Sequence, residues 1–281
     1  MNRGNGSAEN YNSLFCKDLG LVNENLSQGG VFMYQGKRLY CFFIIGLMML
    51  MFILVAAGCQ QGDEDDVNAA NLQEEVPLDR PTEMTAVEAV ELLRDGNKRF
   101  TEGQSVIKDL GSDRRKMLVQ EGQKPFVIVV GCSDSRVPPE VIFDWALGDL
   151  FVIRTAGNVV DQIALGSIEY GVEHLGVPLI VVLGHDSCGA VKATLEAVET
   201  KARLNPNIGA IVERVLKSVD SLDSGSGVLP GVEEVIDENI RTVADELVGR
   251  SELIRDKVAD ESVTIVGAKY FMESGEVLFF D

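Results

Sequence analysis

The stretch "PFVIVVGCSDSRVPPE", Pro125–Glu140, sets the architecture. Its first half, Phe126 to Gly131, is a short apolar run without polar alternation, which predicts a strand buried on both faces. Its second half places a thiol (Cys132), a carboxylate (Asp134) and a guanidinium (Arg136) where the strand leaves the core, and two prolines follow. "DLFVIRTAG" (149–157) and "PLIVVLGH" (178–185) read as further buried strands, "SVTIVGAKYF" (262–271) as a fourth strand, and "GEVLFF" (275–280) as an edge strand. Between them lie helical patterns. One starts at a Thr85 cap with Val87, Val90, Leu93 and Phe100 on its apolar face. Another ends near Gly176, and more cover 189–200, 207–222 and 232–257. Strands alternating with helices predict an α/β fold, a mainly parallel sheet of four strands plus an edge strand, flanked by helices. Ligands of such sheets sit at the carboxyl ends of the strands. Cys132 and His185 both stand there.

The chain has 281 residues, 46% of them hydrophobic, enough for one sizeable domain with appendages. Its formal net charge of -19 excludes binding to the phosphate backbone of nucleic acid. Five cysteines without regular spacing give no disulfide framework, and two histidines make a metal site easy to enumerate.

Residues 1–58 read as a targeting region. Lys37 and Arg38 precede "LYCFFIIGLMMLMFILVAAG" (39–58), an uncharged run followed by Cys59. A basic segment, an apolar segment and a small-residue exit make a secretory signal, and the cysteine directly after "AAG" resembles a bacterial lipoprotein signal with Cys59 as the lipidated residue. An uncleaved transmembrane helix is the alternative, since roughly 20 apolar residues span a bilayer. Both readings put the domain outside the cytoplasm, in a bacterial cell envelope, held to the membrane. The polar stretch before Met33 suggests that translation starts there. Residues 59–83 are acidic and lack apolar periodicity, as a solvated tether would. The folded domain is expected over 84–281.

"GHDSCGA" (184–190) sets His185 and Cys188 three apart at the end of a strand and the start of a helix. Alone, that spacing suits a core cysteine beside a buried histidine better than a metal site. With Cys132 leaving a neighbouring strand, two thiolates and an imidazole form a three-ligand zinc set, its fourth position open to water or to Asp134. A Cys132–Cys188 disulfide is the competing use of the two thiols. An Asp-x-Arg pair such as Asp134 and Arg136 is otherwise a surface ion pair.

"CSDSRV" (132–137), "GDLFVIRTAGN" (148–158), "GSIEYGVEHLGV" (166–177), "GHDSCGA" and the closing "GAKYFMESGEVLFF" together resemble the β-class carbonic anhydrases over roughly 84–281. The resemblance implies one zinc ion per subunit on Cys132, His185 and Cys188, and reversible hydration of carbon dioxide to bicarbonate and a proton by attack of zinc-bound hydroxide. It implies a catalytic pair in Asp134 and Arg136, and substrate-binding roles for Gln123, Phe151, Tyr170 and the backbone N–H of Gly189. It also implies a homodimer or higher homo-oligomer with sites near the subunit interface. His174, near a helix end, suits the helix dipole, and Trp145 suits packing. Two other functions fit the residues: a non-catalytic surface lipoprotein that binds zinc or bicarbonate, and a hydrolase of carbonyl sulfide or carbon disulfide on the same scaffold.

Overall fold

The computed structural model describes residues 84–106, 110–225 and 227–280; the targeting region 1–58, Met33, Cys59 and the tether 59–83 lie outside the described residues. Among the described residues no helix is long and apolar enough to cross a membrane.

The chain runs α1 (Ala86–Thr101), α2 (Ser112–Glu121), β1 (Val127–Cys132), α3 (Pro139–Ile142), β2 (Leu150–Thr155), α4 (Gln162–Leu175), β3 (Leu179–His185), α5 (Gly189–Thr200), α6 (Pro206–Ser221), α7 (Val232–Arg250), α8 (Glu252–Ala259), β4 (Thr264–Tyr270) and β5 (Val277–Phe279). One five-stranded sheet has the order β2-β1-β3-β4-β5, parallel except for the antiparallel β5. β1 and β3 are central and buried at every position. Their alternate residues serve two cores. Ile128, Val130, Ile180 and Val182 pack in one, with residues of α4 to α8. Val127, Val129, Leu179, Val181 and Leu183 pack in the other, with α1, α3 and Trp145.

Local chemistry sets the helix ends. Thr85 caps α1 by a reciprocal box: its hydroxyl accepts the Glu88 N–H at 3.3 Å, and its own N–H donates to the Glu88 carboxylate at 2.8 Å. Gly96 lets α1 lie against the core, since a Cβ there would stand 1.8 Å from the Phe143 carbonyl oxygen. Beside it, buried Asn97 donates to the carbonyls of Ile142 and Gly275 and accepts from the Val277 N–H, tying α1 to α3 and β5.

Three expectations are corrected, and one helix carries no sequence signal. β2 is an outer strand and mostly half-buried, because among the described residues only β1 pairs with it. The run 232–257 is two helices: Ser251 is extended and caps α8 by accepting the Ile254 N–H. Val87 faces solvent, and Ala89 and Leu93 form the buried stripe of α1 instead. Helix α2 gave no signal, since Arg114 is its one buried residue, paired with Asp149 at 2.9 Å.

Candidate metal centre

Three donors meet at the carboxyl ends of the central strands. Cys132 ends β1, His185 ends β3, and Cys188 is the N-cap of α5. All are buried, and one ligand atom from each lies within 4.8 Å of the others. Cys132 and Cys188 are free thiols, not a disulfide. His185 Nδ1 lies 2.8 Å from the Asp186 carbonyl oxygen. A carbonyl only accepts, so Nδ1 carries the ring proton and Nε2 presents a lone pair. That nitrogen is buried without a hydrogen-bond partner. An orphaned imidazole nitrogen beside two thiols fits a thiophilic cation, and the S₂N set suits zinc with one tetrahedral corner left over.

The contact with Cys188 lowers the Cys132 pKa against the opposing effect of burial, aided by His185 and by the N–H groups of Asp134 and Gly157. The same contact, together with burial, raises Cys188. A ligand already deprotonated makes metal uptake easier at neutral pH.

Distant elements fix this geometry. The Gly157 N–H donates to Cys132 Sγ at 3.3 Å. Gly157 has φ 68° in the 3₁₀ turn Ala156–Asn158, and a Cβ would lie 2.9 Å from Ala190, so the position requires glycine. Its carbonyl accepts from Asn239 of α7 at 2.9 Å, and Asn239 in turn accepts from Ser218 of α6. Arg154 of β2 donates Nε to the Cys132 carbonyl at 2.8 Å and Nη2 to the Asp134 carbonyl at 2.5 Å. Arg154 was visible as a lone charge in an apolar run and Gly157 as part of "RTAGN". Asn239 and Ser218 carry no local signal.

Asp134 and Arg136 form a closed pair. The Arg136 backbone N–H and Nε reach Asp134 Oδ1 at 3.0 and 2.9 Å, and Nη2 reaches Oδ2 at 2.7 Å. Hydrogen bonding from the Arg136 side chain, against partial burial, holds the Asp134 carboxyl well below the usual carboxylate range. With both oxygens so engaged, Asp134 stands apart from the three-residue donor group.

Gly189 opens α5 next to Cys188, beside the donors. The other expected substrate residues are not brought there within one chain. Phe151 pairs with Ile128, four residues before Cys132, roughly 13 Å along the strand at about 3.3 Å per residue. Tyr170 lies with Phe151, the ring centroids 6.3 Å apart, and His174 lies 4.9 Å beyond Tyr170. Gln123 is exposed in the segment before β1, at that same amino end of the sheet.

A family model described as carbonic anhydrase matches residues 127–277, a span that holds all three donors. The carbonic anhydrase of Mycolicibacterium smegmatis is 46% identical over 191 residues, covering 68% of this chain and 91% of that protein. Carbonic anhydrase 2 of Mycobacterium tuberculosis is 44% identical over 195 residues, covering 69% of this chain and 93% of that protein. Among solved structures, the β-carbonic anhydrase CcaA has a TM-score of 0.53 and 30% identity, covering 69% of this chain and 95% of that one.

The grip of Arg136 on Asp134 predicts a titration. In Arg136→Ala protein the Asp134 carboxyl pKa climbs back to the ordinary range near about 4, read by carbon-13 carboxyl shifts. In the wild type Asp134 stays ionised as pH falls through that range. Equal titration curves for the two proteins refute the assignment.

Proposed function

The chain belongs to the β-class carbonic anhydrase family, and from that membership we propose how its residues carry out the zinc-dependent, reversible hydration of carbon dioxide to bicarbonate and a proton. The observation that carries the reading is the buried Cys132, His185 and Cys188 group with its unpartnered Nε2. Zinc in that group supplies a Lewis acid that brings the pKa of a water down toward neutrality.

The protein groups do the rest. Two thiolates donate more charge than imidazoles and weaken a bound cation as an acid; the Gly157 N–H draws charge from the Cys132 sulfur and offsets part of this. Arg136 keeps Asp134 ionised and uses three of the roughly four acceptor sites of its carboxylate. The remaining lone pair, on Oδ2, accepts a hydrogen bond from the attacking water and turns that water's own lone pair toward the carbon of carbon dioxide. The Gly189 N–H, at the positive end of α5, faces the anionic product. A metal-storing protein has no use for the Asp134–Arg136 pair, which favours the enzyme over a binding lipoprotein.

The site is completed by a second copy of the chain. Gln123, Phe151 and Tyr170 lie too far from their own Cys132 to line its pocket, yet an amide donor and two aromatic rings are what a small apolar substrate with oxygen ends requires. Among the described residues the outer side of β2 has no strand partner and carries half-buried apolar residues, the surface that pairing with another subunit would cover. A homodimer, or a multiple of it, brings one chain's aromatic end to the other's metal end.

For residues 1–83 the reading rests on sequence. Cys59 is lipidated after removal of residues 1–58, and the acidic stretch 59–83 holds the enzyme off an anionic membrane in the bacterial cell envelope.

Three measurements test these statements. Asp134→Ala retains zinc but slows proton release from carbon dioxide by about 10²-fold or more, whereas Cys188→Ala loses the zinc; full zinc content without hydration in the wild type refutes the enzyme. Mixing equal amounts of Gln123→Ala and Asp134→Ala chains restores about a quarter of wild-type activity, because random pairing makes half of the dimers mixed and one of the two sites in each mixed dimer is then intact; activity no higher than either parent rules out a shared site. Cells fed labelled palmitate incorporate it into the wild type but not into Cys59→Ala, and label in both, or in neither, refutes lipidation at Cys59.

A further inference from the structure

The turn between β3 and α5 is held in an unusual backbone state. Ser187, between His185 and Cys188, has φ 55°, a left-handed value that a serine adopts only under constraint. Three hydrogen bonds from other elements hold the turn. The Asp186 N–H donates to the Tyr270 carbonyl at 3.1 Å, and the Asp186 carboxylate accepts the Met272 N–H at 3.1 Å. The third is the Ser187 N–H, which donates to Glu233 Oε1 at 3.2 Å.

Glu233 lies in the first turn of α7 and is itself fixed. Its Oε2 is 2.8 Å from Lys269 Nζ, and Asp237, one turn further along α7, pairs with the same ammonium at 2.8 Å. The Lys269 side chain is 6% exposed, projecting from β4 beside Gly184. A buried ammonium needs its carboxylates. Its place in the central sheet therefore determines where Glu233 sits. The line of contacts runs from β4 through Lys269 and Glu233 to the N–H one residue before Cys188. The described reaction uses neither side chain.

We propose that Glu233, anchored by Lys269, is a positioning residue for the metal centre: it holds the Ser187 N–H in the left-handed turn and so sets the distance between His185 and Cys188. The inference rests on the reading of Cys132, His185 and Cys188 as zinc ligands. Asp186 acts in the same clamp from the β4 side. Loss of Glu233 frees the turn to relax while Lys269 keeps Asp237 as its partner, so the core is not left with an unpaired cation. The Glu233 side chain is 53% exposed, and its removal opens no cavity.

The test compares zinc affinity, by competition with a chromogenic chelator, in full-length wild type, Glu233→Ala and Glu233→Gln. Glu233→Ala binds zinc about 10- to 100-fold more weakly, while the melting temperature of its metal-free form matches that of the wild type. Glu233→Gln keeps an amide oxygen for the Ser187 N–H and recovers most of the affinity. Wild-type affinity in Glu233→Ala overturns the proposal. So does equal weakening in both variants, which would assign the effect to charge, and so does a lower metal-free melting temperature with unchanged affinity, which would make the residue merely structural. Wild-type protein that takes up no zinc overturns the metal reading and this inference with it; normal zinc uptake by the wild type with an unaffected Glu233→Ala overturns this inference alone.

Discussion

The parallel register of β1 against β3 is the constraint on which the site depends. Val130 stands opposite Val182 and Gly131 opposite Leu183, so the two strands leave the sheet at nearly the same height and deliver a thiol and an imidazole into one space. A slip of one residue would move Cys132 by about 3.3 Å and turn its side chain to the other face of the sheet. Burial prevents the slip. Alternate residues of both strands are committed to two separate cores, and exchanging the faces would repack both. Each large apolar side chain so placed contributes on the order of 1.5–3 kcal/mol. The precision of the donor group is thus supplied mainly by valines, leucines and isoleucines that never touch it.

Polar contacts then refine what the register sets coarsely. The Cys132 turn is gripped from β2 by Arg154 and from α7, through Gly157, by Asn239. The Cys188 turn is gripped from α7 by Glu233 and from the β4–β5 connection by Met272. Helix α7 therefore reaches both halves of the site. Arg136 and Arg154 also place two cations beside a site that releases an anion, in a chain whose net charge is -19.

Much of this was legible because the central strands are chemically unambiguous. Uninterrupted Val, Ile and Leu runs ending in Cys132 and His185 fix both the sheet and the position of the donors along it. Thr85 was legible as a cap because Glu88 follows at the spacing of a reciprocal box. What could not be read depends on contacts between residues distant in sequence. The half-burial of β2 follows from its place in the strand order, and an apolar run has the same composition in either place. The break at Ser251 is a single capping contact inside a continuous helical pattern. Helix α2 is held by one buried arginine rather than by an apolar stripe. Gln123, Phe151 and Tyr170 were singled out as a group by resemblance, but only strand register reveals that they lie at the far end of their own sheet. Glu233 and Asn239 look like ordinary polar residues of an amphipathic helix until the fold brings them to the strand ends.

The outer edge of β2 carries one more implication. Among the described residues no strand pairs with that edge, and such an edge is a template for strand addition by any partially folded neighbour. The assembly proposed above would cover the same surface, so correct pairing and misassembly compete for it, and a subunit that has found its partner is protected from fibril-like stacking.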